Sequence, residues 1–447
     1  MVTKTLVNHC LSTSYDQIPQ EVILHGKRSL LNWMGVAAGA STHPSIDILL
    51  ELSKELKTAE QVSIFGREEK VDLLMAALIN GTSSHIFDYD DTHLDTIHHP
   101  SGPIAPVVLA LGEHLGLNGK EILHAFILGC EAELRIANAV YPSHYQLGWH
   151  ITSSTGVFGA AIAAGILLKL DQEQMLWALG IAGTQASGLR EVFGTMTKPF
   201  HPGKAAQNGL LAALLAKKGF TSSEKILEAK RGFANVLAPE HDLEKVNINW
   251  GKDWELLNNS FKPYACGIVL HPSIDACIYL HKNVSLENLK SIELKVNPYV
   301  LELTGKETPQ TGLEGKFSVY FTAAIAFLDG DASEKQYTDE KVKDEKIIAM
   351  QKKISITVDE AIKEEEVEVK AFLKDGSELT HTVEHAKGSI QNPMLEEELL
   401  TKFNSLVEDI LGKSSTDQMA KILLHLDEYP SIVELIHSNK KSEVLSK

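Results

Sequence analysis

Apolar side chains recur at three- and four-residue steps from the start of this 447-residue chain to about residue 260. Several segments beyond Lys262 show two-residue steps, and helical steps return from Asn392. The two periods belong to different backbones: a helix turns every 3.6 residues and buries one stripe, whereas a strand alternates faces at every residue. In the first part, PVVLALGEHLGLNGKEILHAFILGCEAELRIANAV (Pro106 to Val140) and KAAQNGLLAALLAKKGF (Lys204 to Phe220) carry the helical spacing. GVFGAAIAAGILL, Gly156 to Leu168, is apolar throughout. It is shorter than the roughly 20 residues that cross a bilayer, so it predicts a helix buried among helices, with Gly and Ala allowing close approach. No strand–helix alternation points to a nucleotide-binding sheet.

Beyond Lys262, SIELKVNPYVLEL (Ser291 to Leu303) and KISITVDEA (Lys353 to Ala361) alternate as strands do. VEVKAFLKDGSELTHTV, Val367 to Val383, sets two alternating runs around Asp375-Gly376 and predicts a two-residue hairpin turn. KFSVYFTAAIAFL, Lys316 to Leu328, predicts the helix between the strands. The expected fold is mainly α: a large all-helical domain formed by both chain ends, residues 1–260 and 392–447, with a smaller α/β domain inserted over residues 261–391.

Charge narrows the partners. Lys plus Arg number 42 against 59 Asp plus Glu, a formal net charge of -17 with no basic run, which argues against nucleic acid and anionic membrane surfaces. The opening MVTKTLVNHCLSTSYDQ has neither a long apolar core nor a small-residue cleavage site, so no secretory signal and a cytoplasmic location are expected. Cys10, Cys130, Cys266 and Cys277 are scattered; their spacing suits neither a zinc knuckle nor a disulfide framework, and they are expected to be buried.

The chemistry concentrates in four segments. FDYDDTHLDTIHHPSG, Phe87 to Gly102, holds Asp88, Asp90, Asp91 and Asp95 with His93, His98 and His99. One interpretation is a metal site, since DDTHLD resembles the aspartate-rich magnesium motif of terpene cyclases, where carboxylates hold ions that grip a diphosphate. No second motif of that kind follows, aromatic residues are only 6% of the chain, and no HExxH spacing marks a zinc site. The bland alternative is a solvated polar loop. GWHITSSTG puts His150 ahead of an apolar helix with Ser153, Ser154 and Thr155 as candidate N-caps. GTMTKPFHPGKAAQNG gathers Lys198, His201 and Lys204 in a Pro- and Gly-punctuated loop before another helix, a candidate carboxylate receptor. SFKPYACGIVLHPSIDAC places Lys262 and His271 at the expected domain boundary, where ligands usually bind.

In order and spacing these segments, with GKFSVYF and GSIQNPM further on, resemble the MmgE/PrpD family of 2-methylcitrate dehydratases, cis-aconitate decarboxylases and iminodisuccinate epimerases over nearly the whole chain. The resemblance implies a helical domain from both chain ends, an α+β lid, a homodimer, and a cofactor-free site for a small polycarboxylate. It implies catalytic roles for His99, His150, Lys198 and Asp88, with Tyr145 as an alternative acid or base. Thr92, Lys262, Lys204, His201 and His271 would bind substrate. Asp88 would orient an imidazole. The segment from Thr92 to His99 is one residue longer than in the animal decarboxylases, which leaves His98 and His99 as alternatives. Gly267 stands where those enzymes carry a second histidine. The expected activity is a lyase, dehydratase or decarboxylase, with an epimerase as alternative. A metal-dependent diphosphate enzyme and a non-enzymatic helical scaffold are the alternatives from other classes.

Overall fold

A helix with no polar face has to be surrounded, and Gly156–Leu167 is: in the computed structural model, which describes residues 1–439, it packs against helices Ser101–Leu115, Gly119–Val140, Gln172–Gly183 and Thr197–Lys217. Small residues set these distances. A Cβ built on Gly209 would lie 2.5 Å from the Ala160 Cβ, and one on Gly129 would lie 2.9 Å from the Ala163 Cβ. Helix Gly119–Val140 starts at a capping box: Asn118 Oδ1 accepts from the Glu121 N–H at 2.9 Å, and Glu121 Oε2 accepts from the Asn118 N–H at 3.2 Å.

By contacts the chain divides into two units. The first contains Met1–Ile86, Asp90–Ser260 and the chain from Glu396 on. The second contains Phe87–Tyr89 and Phe261–Leu395. In the first, helix Glu396–Leu411 lies against Gln20–Gly39, where a Cβ on Gly35 would come within 2.9 Å of the Phe403 ring. Helices dominate this unit, but two short antiparallel ladders interrupt them: Val62–Ser63 with Lys70–Val71, and Thr92–His93 with Asn259–Ser260. Two residues are too few to leave an alternating pattern in the sequence.

The second unit holds a four-stranded mixed sheet. Its spatial order is Ile354–Val358, Leu289–Val296, Val367–Leu373, Glu378–Val383; the first pair is parallel and the others antiparallel. Helices His271–Asn283 and Val319–Asp329 pack together and against the sheet, over Ile292, Leu294, Val369 and Ala371, all buried. Two local expectations are corrected. The first strand stops at Val296 because Asn297 caps a helix, Pro298–Thr304: its side chain accepts from the Tyr299 N–H at 2.9 Å, and Pro298 takes the first helical position. The hairpin turn is longer than two residues, since the Leu373 N–H bonds the Ser377 carbonyl at 2.9 Å, leaving Lys374 to Gly376 outside with Gly376 at φ 87°. All four cysteines are buried thiols. Among the described residues no helix is long and apolar enough to cross a membrane.

Candidate active site

Helix Leu73–Ser83 ends two residues before His85, which is buried together with Asp90. His85 Nδ1 lies 2.6 Å from Asp90 Oδ2. A carboxylate only accepts, so Nδ1 donates in this bond. The ring's Nε2 is buried with no hydrogen-bond partner among the described residues. His99 is set by the same logic. Its Nδ1–H donates to the Asp91 carbonyl at 2.9 Å, with Thr92 Oγ1 at 3.2 Å and Asp90 Oδ2 at 3.7 Å, while its backbone N–H donates to Thr152 Oγ1 at 3.1 Å. The Thr92–His93 ladder with Asn259–Ser260 fixes the strand that bears Thr92.

His150 precedes a short helix, Ile151–Ser154, and its N–H bonds the Gly188 carbonyl at 2.9 Å. Its Nδ1 stands 2.9 Å from the Nδ1 of His201, so one of the two nitrogens donates and the other must be unprotonated. Burial first, then the neighbouring His85, His201 and Lys198, hold His150 well below the usual imidazole range. Burial, His85 and Lys198 likewise bring His201 down to about 4. The Lys198 ammonium lies 5.4 Å from the centre of the Phe193 ring, and that ring meets His150 edge-on at 5.0 Å. Ring centroids place His85 in the middle, 4.7 Å from His99 and 5.7 Å from His150. Four imidazoles from separate segments thus cluster, beside one ammonium and one buried carboxylate.

Of the sequence-derived candidates, the first unit brings together Thr92, His99, His150, Lys198 and His201. The second unit joins Asp88 to Lys262: the buried ammonium donates to the Asp88 carboxylate and carbonyl, both at 3.0 Å, and Asp88 adopts φ 51°. The carboxylate found 2.6 Å from an imidazole is Asp90, on His85. His98 is fully buried, with neither ring nitrogen hydrogen-bonded among the described residues; His99, one position on, carries the ring that meets His85 and His150. His271 opens helix His271–Asn283 edge-on to Tyr264 at 5.3 Å. Tyr145 packs under the Arg190 guanidinium at 4.0 Å and beside Tyr141.

Three expectations change. The segment around Pro199 and Pro202 is already helix, running Thr197–Lys217: Pro199 falls in the first turn, whose N–H groups lack partners anyway, while Pro202 lies inside the helix. Lys198 and His201, three apart, share a face, whereas Lys204 donates to Gln207 within the helix at 2.7 Å. The hydroxyls of Ser154 and Thr155 do not cap helix Gly156–Leu167: Ser154 meets His144 Nε2 at 2.6 Å and Thr155 donates to the Ile151 carbonyl at 2.8 Å. The aspartates of the acidic loop have different partners, with Asp90 on His85, Asp91 on Ser101 and Asn259 at 2.5 and 2.6 Å, and Asp88 on Lys262, while Asp95 is exposed. Sequence reasoning missed His85, whose signal was a histidine closing an apolar helix five residues ahead of an aspartate.

His201 gives a testable pH effect. The unfolded chain binds a proton there near the ordinary value of about 6.5, and the folded chain refuses it until about 4. Its contribution to stability is full above pH 6.5 and is lost as pH falls toward 4. Asp91, raised by burial to about 7, works in the opposite direction over the same window, so only a difference isolates the histidine. The urea midpoint of wild type minus that of His201→Gln should fall steadily between pH 6.5 and 4.5; a constant difference would contradict the assignment.

Comparison with known proteins places this geometry in context. Residues 4–246 match the MmgE/PrpD N-terminal domain and residues 264–428 the MmgE/PrpD C-terminal domain. Among relatives, a cis-aconitate decarboxylase of Aspergillus terreus is 26% identical across 99% of this chain and 97% of its own length. The cis-aconitate decarboxylase of Homo sapiens is 25% identical across 96% of this chain and 92% of its own. The mitochondrial 2-methylcitrate dehydratase of Yarrowia lipolytica is 24% identical across 67% of this chain and 61% of its own. With both domains matched in order along its length, the chain belongs to the MmgE/PrpD family.

Proposed function

We propose that this chain is a lyase for a small di- or tricarboxylate, of the cis-aconitate decarboxylase or 2-methylcitrate dehydratase kind, moving a proton at the carbon next to a carboxylate. The observation that carries the proposal is the buried imidazole cluster around His150, in which burial above all holds His150 and His201 below the usual imidazole range, with the Lys198 ammonium acting on both. The activities of the relatives support the same chemistry.

Carbon acids of this kind are weak, and the negative charge that develops on the carboxylate needs a fixed cation; Lys198 supplies it. His150 takes or gives the proton. Without substrate, burial and then the neighbouring groups, Lys198 among them, hold its proton affinity down. A polycarboxylate docked on Lys198 offsets that charge and raises the affinity when a proton must be accepted. His99, its tautomer fixed by the Asp91 carbonyl, is the second acid or base. In a dehydration it protonates the departing hydroxyl. In a decarboxylation the electrons of the broken carbon–carbon bond pass to carbon, which takes the imidazolium proton. In the second unit the Lys262–Asp88 pair is a further proposed carboxylate-binding element, and a homodimer belongs to the same proposal. These steps use side chains alone.

The deciding experiment incubates the protein with 2-methylcitrate, cis-aconitate, citrate and iminodisuccinate in deuterated water and follows each by NMR. Loss of carbon dioxide or water identifies the lyase. Exchange with inversion and no net loss assigns an epimerase in its place. If no compound exchanges hydrogen, the proton-transfer proposal fails.

A further inference from the structure

His85, His99 and His150 each offer one ring nitrogen, and these three nitrogens lie within 4.8 Å of one another, all buried. A tetrahedral zinc centre with metal–nitrogen bonds of about 2.0–2.1 Å needs its nitrogens about 3.4 Å apart, so closure requires shifts on the order of an ångström. Two features go beyond proximity. His85 Nε2 is a buried ring nitrogen with no hydrogen-bond partner among the described residues. Asp90 holds the opposite nitrogen of the same ring at 2.6 Å, and the Asp91 carbonyl holds Nδ1 of His99 at 2.9 Å. A carboxylate or carbonyl behind a histidine is the arrangement that orients metal-binding imidazoles and raises their basicity.

We propose that His85, His99 and His150 form an inhibitory binding site for a borderline-soft divalent transition ion of the zinc class. The ion takes the ring nitrogens that would otherwise move protons, so the inhibition, though not the binding, rests on the lyase proposal above. Imidazole donors select zinc, cobalt, nickel or copper over magnesium and calcium, which prefer oxygen. Lys198 opposes a second positive charge and Asp90 favours it, which suits a reversible inhibitor better than a permanently held cofactor.

The test titrates tag-free, full-length protein with cobalt(II) chloride. The expected result is the intense visible absorption of four-coordinate cobalt, saturating at one equivalent and displaced by zinc(II) chloride but not by magnesium. His85→Gln and His99→Gln should each lose that band, Asp90→Asn should bind about 10–100-fold more weakly, and the surface variant His425→Gln should keep the band. Absence of the band in wild type, or its persistence in the ligand variants, overturns the site. If His85→Gln does not fold, as judged by circular dichroism, the His99→Gln and His150→Gln proteins decide. A cobalt band in protein that exchanges no substrate hydrogen would refute the lyase alone; intact exchange without a band would refute the metal site alone.

Discussion

His150→Gln should lower the rate of substrate hydrogen exchange by about 10²–10⁴-fold, the usual contribution of one positioned acid or base. Lys198→Ala should cause a loss of similar order by removing the charge that stabilises the developing anion. Glutamine keeps the bulk of the ring at a position whose backbone N–H is tied to the Gly188 carbonyl, so the fold survives and the thermal midpoint reports that directly. The two losses should also combine less than additively, because the proposed mechanism has both residues act on one proton transfer. Near-normal exchange in both variants would remove His150 and Lys198 from the chemistry.

The second large effect comes from Gly203. Helices Leu73–Ser83 and Thr197–Lys217 touch backbone to backbone: a Cβ on Gly203 would lie 2.3 Å from the Leu78 carbonyl oxygen and 2.7 Å from the Thr82 nitrogen, and one on Gly81 would lie 2.7 Å from the Gly203 Cα. Alanine favours a helix interior over glycine by about 1 kcal/mol. Here that gain is overridden, because the obstacle is backbone and the helices must separate at a cost of about 1–3 kcal/mol or more. Gly203→Ala is therefore expected to lower the urea midpoint clearly. It should also slow exchange, since one helix leads into His85 and the other carries Lys198 and His201. Gly267→Ala is the matched control: φ is -56°, and the new Cβ meets only Thr304 Cγ2 at 3.5 Å and the Lys316 carbonyl oxygen at 3.9 Å. It should be neutral or stabilising by about 0.4–1 kcal/mol, through the unfolded chain. Equal effects at both glycines would show that backbone approach does not govern this packing.

What could be read in advance follows from physical range. The switch from helical to alternating periodicity near residue 262 is a property of long segments and survived intact in Gly156–Leu167 and Val367–Leu373. Events decided by one or two residues were misjudged: Asn297-Pro298 turns an alternating run into a cap, and Pro199 and Pro202 sit inside a helix that their presence seemed to forbid. In the site, residues within recognisable spacings, Thr92, His99, His150, Lys198 and His201, were named from sequence. The His98 or His99 choice needed coordinates, because successive side chains near an extended backbone face opposite ways. His85 escaped because an imidazole beside an apolar helix looks like core until Asp90 is seen against it. Glu133 is similar: buried with no hydrogen bond to either oxygen among the described residues and pushed up well above the carboxylate range by burial, it carries no mark in the sequence.

Three residues of the acidic loop, Phe87 to Tyr89, belong with the second unit although the chain on either side of them belongs to the first. They supply that unit with the Asp88 charge on Lys262, the Phe87 carbonyl that accepts from Lys316 at 2.6 Å, and the Tyr89 hydroxyl that donates to the Pro263 carbonyl at 2.7 Å. A fragment cut at residue 261 would thus lack the Asp88 carboxylate and carbonyl that accept from the buried Lys262 ammonium. Evolution cannot trade this module by simple gene fusion: any donor segment must arrive together with a tripeptide encoded more than 170 codons upstream.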